Sequence, residues 1–166
     1  VDTCAECGFV YDLTHATDVA PLAREHAVEY ADLLLTESPK LRQRPKPDTW
    51  SPLEYACHMR DVLLVQRERV LAARRTRTPE SWLMGRDERV EHDGYAEQKP
   101  TDVGRQLRDA AQLFANVLER LGDEDWARTL MFSYPDPQER SLRWLALHTL
   151  HELRHHLLDM RRQLDS

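Results

Sequence analysis

Glycine is scarce, with 5 in 166 residues, and β-branched residues form few runs, so a fold built mainly from sheet is excluded. No apolar stretch approaches the roughly 20 residues that a membrane span needs. Basic residues form no stripe with interleaved aromatics and the net charge is −6, which argues against nucleic acid as a partner. Only three cysteines occur, Cys4, Cys7 and Cys57, too few for a disulfide framework. The first residues have neither a basic start nor an apolar core, so no signal peptide is expected and the expected location is cytoplasmic. There is no internal repeat and no low-complexity segment. What remains is 41% hydrophobic and 31% charged, rich in Leu, Ala, Arg and Glu. That composition predicts one all-α domain over residues 1–166, long enough for a sizeable core.

The chain is organised around its last helix, expected from Leu142 to about Arg162, where neither Gly nor Pro intervenes. It carries four of the eight histidines, His148, His151, His155 and His156. His151 and His155 are four residues apart, which puts both imidazoles on one face, one turn apart, where both can reach one metal ion. Ala146, Leu150, Leu153 and Leu157 form an apolar stripe. Trp144, His148, His151, Glu152, His155 and Asp159 gather on the opposite side. Such a face is either solvated or a metal site, and a site needs a third ligand from elsewhere.

Residues 1–17 read as a non-helical lead-in. Cys4-Ala5-Glu6-Cys7-Gly8 has the spacing of half a zinc knuckle, with Gly8 allowing a tight turn. No second cysteine pair closes a four-ligand site, so the two read as free thiols in a strap. The first helix is expected over residues 19–37, with Asp18 as N-cap and His26 near its buried stripe. The second runs from Pro52 to about Arg75 behind a capping box of Ser51 and Glu54. Leu53, Cys57, Leu64 and Leu71 make one of its stripes. Val62 and Val65 make a second, with His58 on that side. A histidine there is either hydrogen-bonded in the core or the third ligand. Residues 76–100 lack sustained periodicity and read either as a ligand-covering loop bearing Trp82, Met84, Arg86, Arg89, His92 and Tyr95, or as a crossover whose Trp82 fills the bundle end. The third helix, from Thr101 or Asp102 to Leu121, keeps near-perfect i, i+3, i+4 apolar spacing, and its role is packing. A short helical turn at Asp123–Trp126 precedes the last helix, which Ser141 caps.

Four long helices, a long crossover between the second and third, one histidine on the second and His-x-x-x-His on the last make a distinctive order. Together with Trp50-Ser51-Pro52-Leu53-Glu54-Tyr55-Ala56-Cys57-His58-Met59-Arg60-Asp61 and His148-Thr149-Leu150-His151-Glu152-Leu153-Arg154-His155-His156-Leu157-Leu158-Asp159, it resembles the DinB-like superfamily. The resemblance covers about residues 21–162. It implies a four-helix bundle holding a divalent metal, zinc first and nickel second, on three histidines, carried over here to His58, His151 and His155. It also implies a metal-dependent thiol S-transferase, with mycothiol as the expected thiol, acting as a metal-bound thiolate on an electrophilic small molecule. Asp61 and Asp159 are candidates to orient the imidazoles. His148, Trp144, Arg86, Arg89 and Tyr95 are candidates for the surroundings of the site or for substrate contacts. The protein is expected to be a monomer or a homodimer.

Two other readings remain. His151-Glu152-x-x-His155 matches the zinc-protease pattern, with Glu152 as general base, although the chain offers no strand edge for a peptide. A non-catalytic metal-binding bundle is the alternative from another class.

Overall fold

The computed structural model describes residues 1–166. Its helices are α1 (Val19–Leu34), α2 (Pro52–Arg75), α3 (Arg86–His92), α4 (Pro100–Glu119), the single turn α5 (Asp123–Trp126) and α6 (Leu142–Asp165). Three short strands, β1 (Glu80–Ser81), β2 (Thr129–Phe132) and β3 (Gln138–Ser141), form a small sheet in that order. β1 is parallel to β2, and β2 is antiparallel to β3.

The four long helices close a ring in which α1 and α2 each pack against both α4 and α6. The expected four-helix bundle with a crossover between the second and third long helices is therefore the architecture. Its core includes Tyr30, Leu53, Met59, Leu63, Phe114, Leu145 and Leu153, all fully buried. Tyr30 donates its hydroxyl to the Leu153 carbonyl at 2.7 Å, joining α1 to α6.

Local sequence accounts for the helix ends. Ser51 accepts from the Glu54 amide and Glu54 returns the bond, while Arg44 holds the Glu54 carboxylate at 2.6 Å. Ser141 accepts from the Trp144 amide at the start of α6. Asp18 does not cap α1; its carboxylate faces His15 at 3.0 Å instead. α1 ends at Leu34, its last buried residue, three residues before the expected end, and Ser38 then caps a separate 3-10 turn at Pro39–Arg42.

The two stripes expected on α2 are corrected. Leu64 is exposed and Leu71 only half-buried, while Met59, Arg60, Asp61, Val62, Leu63 and Gln66 are all buried. A helix enclosed on nearly every side has no single apolar stripe. Cys57 is fully buried, as expected of a small core residue, and burial pushes its thiol up to about 12.

No helix is long and apolar enough to cross a membrane.

Candidate metal centre and cavity

α6 carries its polar groups in two parallel rows, each with a four-residue spacing. His148, Glu152 and His156 form one row; His151, His155 and Asp159 form the other. Four residues are slightly more than one turn, so each row climbs one face, and the two rows lie side by side.

The first row faces α2. Donor atoms of His58, Glu152 and His156 all lie within 4.8 Å of one another. The His58 and His156 rings meet edge to face with centroids 5.4 Å apart. Trp50 packs on His58 at 4.9 Å, and Tyr55 stacks on His156 at 4.9 Å. Glu152 Oε2 is 3.4 Å from His156 Nε2, and Asp159 Oδ2 is 3.3 Å from His156 Nδ1. His58 Nδ1 is buried with no hydrogen-bond partner.

The second row faces the lead-in. Cys4 Sγ lies 3.9 Å from His155 Nδ1, and the rings of Phe9 and Tyr11 pack on His151 at 5.4 and 5.5 Å. Cys4, Cys7, His151 and His155 bring their donor atoms within 4.8 Å of one another. Thus His58, His151 and His155, expected as one triad, are divided between two groups, and no group contains all three. The physical reason is what each row meets: α2 supplies His58 to the first and the strap supplies Cys4 and Cys7 to the second, while His148, His151 and Glu152, also within 4.8 Å of one another, border both.

Electrostatics separates the histidines further. His58 is pushed down to about 3, chiefly by burial and then by His156. His148 is pushed down to about 4, again chiefly by burial. Both rings are therefore neutral at neutral pH. Burial opposes charge on His156 too, but Asp159 and Glu152 more than offset it and raise it to about 9. Burial works against the Glu152 carboxylate as well, yet His151 and His156 hold it well below the usual carboxylate range. A metal ion in the first group would take the place of the His156 proton. Two imidazoles and a carboxylate, one imidazole nitrogen buried and unpartnered, fit a divalent cation.

Beside this group opens a cavity of about 370 Å³, lined by His58, Glu152 and His148 on one side. Met84, Arg86, Phe132 and Tyr134 line it on the other, and Arg69 projects from α2. The aperiodic residues 76–100 thus supply a wall of the cavity. Trp82, 82% exposed, fills no bundle end. Arg69 donates to Gln66 Oε1 at 2.9 Å and to the Trp82 carbonyl, has no carboxylate partner, and is pushed down to about 10, chiefly by burial. Arg86 packs over Tyr134 at 5.4 Å and likewise has no carboxylate partner. His148 is clamped between Trp144, stacked at 4.6 Å, and the Tyr11 hydroxyl at 2.9 Å from Nδ1.

Other expected site residues lie elsewhere. Asp61, one turn from His58, turns away from it to pair with Arg60 at 3.0 Å and to accept from the Tyr95 hydroxyl. Tyr95 is fully buried in that network and is no substrate contact. Asp159 lies nearer His156, at 3.3 Å, than His155, at 3.8 Å. Arg89 bonds the Met84 carbonyl at 2.7 Å and bolsters the loop.

Residues 22–160 match the DinB superfamily. The chain belongs to the DinB superfamily. No curated protein sequence matches it. Among solved structures, this DinB-superfamily chain is similar to YfiT from Bacillus subtilis, described as a probable metal-dependent hydrolase with an unusual four-helix bundle topology. The TM-score is 0.77 at 15% identity, over 92% of this chain and 89% of that one. At that identity the likeness is one of fold. It fits a DinB bundle whose long crossover and short hairpin build the cavity wall.

The sequence pattern missed Glu152 and His156 as a donor pair. The signal was present as the second row's twin: any search for His-x-x-x-His alone passes over a row with a carboxylate in the middle.

Proposed function

We infer that the protein is a metal-dependent enzyme acting on a small molecule, with His58, Glu152 and His156 as the metal-holding residues. The observation that carries this reading is the convergence of those three donors beside a 370 Å³ cavity, whose wall includes His58 and Glu152. Two histidines and a glutamate are a set that catalytic zinc uses while keeping a position open. The bound cation supplies a Lewis acid that favours a deprotonated nucleophile at neutral pH.

Thiol transfer is the reaction we favour, with a low-molecular-weight thiol, mycothiol by the family resemblance, and an electrophilic acceptor. His148, neutral and cavity-facing, is suited to orient the incoming thiol, whose proton would leave to solvent as the cation stabilises the thiolate. Its Nδ1 and the Tyr11 hydroxyl share a hydrogen bond of 2.9 Å. Trp144 and Tyr11 fix that ring. Arg69 and Arg86, both without carboxylate partners, suit an acceptor bearing negative charge, while Met84 and Phe132 shield it from water. With Glu152 assigned to the metal, between His151 and His156, it would not also serve as the base that the zinc-protease pattern gives it.

The test is a thiol-consumption assay with zinc- or nickel-loaded protein, mycothiol and a panel of small anionic and neutral electrophiles. Metal-dependent thiol consumption, lost in His156→Ala and Glu152→Ala, is the expected result. Turnover of esters or amides by water, unaffected by thiol, would replace transfer with hydrolysis. No turnover of either kind in metal-loaded protein would leave a binding bundle.

A further inference from the structure

The second row of α6 and the lead-in form a group that the reaction does not use. We propose that Cys4, Cys7, His151 and His155 form a separate tetrahedral site for a zinc-class cation, which pins the N-terminal strap to α6. The proposal is independent of the reaction assigned to the cavity.

Four observations converge on it. The donor set is two thiols and two imidazoles, all within 4.8 Å, with Cys4 Sγ and His155 Nδ1 at 3.9 Å. For Zn–S near 2.3 Å and Zn–N near 2.0–2.1 Å, the edges of a tetrahedron are about 3.3–3.8 Å, so a small contraction closes the polyhedron. The strap already has the shape of a knuckle. The Cys4 amide donates to the Phe9 carbonyl and the Gly8 amide to the Cys4 carbonyl, both at 2.8 Å. Gly8 adopts φ +73°, a left-handed turn that returns the chain after Cys7.

His151 supplies the third observation. Both of its ring nitrogens are buried and neither has a hydrogen-bond partner. Nδ1 has only the Glu152 carboxylate near it, at 3.5 Å, and buried polar groups left without hydrogen bonds are unfavourable, so a cation would engage one of the two nitrogens. The fourth is Glu6, which sits between the two cysteines and places its carboxylate 3.2 Å from His155 Nε2. A carboxylate on the far nitrogen of a ligating imidazole fixes the ring with its other nitrogen toward the metal.

Two thiolates and two neutral imidazoles neutralise a divalent cation and leave no position open, so this is a structural site. Each thiol gives its proton to solvent as the cation binds, with no change of oxidation state. The consequence for the cavity is positional: the strap fastened at Cys4 and Cys7 carries Tyr11, whose hydroxyl holds His148.

The full chain is purified under a reductant without chelator, analysed for metal, and reconstituted with cobalt(II) for absorption spectra. A thiolate-to-cobalt charge-transfer band in the unmutated protein is expected, because only this group contains sulfur. The double variant Cys4→Ser/Cys7→Ser should lose that band and one equivalent of metal. His58→Ala should keep the band and lose the other equivalent, if the cavity group binds as inferred. A band with a single equivalent of metal would support the knuckle and sink the cavity centre. Metal bound with no charge-transfer band in unmutated protein overturns the knuckle, whether or not the variants fold.

Discussion

Glu152 Oε1 lies 3.5 Å from His151 Nδ1 and Oε2 lies 3.4 Å from His156 Nε2, so one carboxylate borders both groups. Its neighbours differ in what they ask of it. His156 belongs with His58 at the cavity, and His151 belongs with the cysteines of the strap. Removing the charge while keeping the shape separates these roles. Glu152→Gln should weaken metal binding at the cavity by more than about 100-fold, beyond what loss of a group outside the ligand set causes. His151→Gln should leave cavity binding within a few-fold. Titration of each variant with a competing chelator reads both, and an equal loss in the two variants would merge the groups into one centre. At this scale the sequence was half-legible. It singled out His58, His148, His151 and His155 as the chemistry-bearing residues. It could not say which of two rows with identical spacing meets α2, because spacing fixes a face only relative to its own helix.

At the scale of elements, the start of α2 was legible in full, since its signals are local. Ser51, Pro52 and Glu54 stand within one turn, and the capping box they predict is present. Glu54 does more than cap: its carboxylate, only 3% exposed, receives two bonds from Arg44. Burial raises its pKa, but Arg44 and the Ser51 amide more than offset this and leave it lowered. A lowered carboxylate contributes stability that is present above its unfolded pKa and is lost as pH falls through the folded one. Glu54→Ala should therefore cost roughly 1–2 kcal/mol at pH 7, for the lost cap and charge-assisted bonds, since the Arg44 left behind is 39% exposed and returns to water. The deficit should shrink as urea melts are repeated toward pH 3. A constant deficit would assign it to the cap alone.

The contact of α1 with α4 is set by Gly104, where an added Cβ would meet Ala31 Cα at 3.3 Å. Gly104→Leu should destabilise by about 1–3 kcal/mol through overpacking against backbone, and a thermal melt at or above the unmutated midpoint would contradict that. By contrast, α3 and the sheet left no trace in the periodicity. Strands of two to four residues are shorter than the window in which alternation can be told from chance.

For the molecule as a whole, the question left by the sequence was what covers a polar face opposite the Leu150/Leu153/Leu157 stripe. The crossover and α2 cover one row, as their pattern suggested. The other row is covered by residues 1–12, which composition marks only as a lead-in. Phe9 is 94% buried by contact with the body of the protein, being 6% exposed, and Tyr11 stacks on Trp144 and bonds His148. That placement was illegible because it rests on contacts between residues about 140 apart in sequence, and no local rule reports them. The two ends of the chain therefore act together: the strap closes the helix that bears the metal-binding rows. Deleting residues 1–12 removes the burial of Phe9 and uncovers His151, a loss of about 3 kcal/mol, the low end for truncating a buried Phe. In a chain of this size that corresponds to a Tm lower by roughly 10 °C. Helical content in the far ultraviolet should persist, because Tyr30, Leu145 and Leu153 still fill the bundle. The truncated protein should also lose thiol consumption far more than it loses metal at His58 and His156, since His148 would no longer be held by Tyr11. An unchanged Tm with full turnover would make the strap an ornament of the fold and not part of its working site.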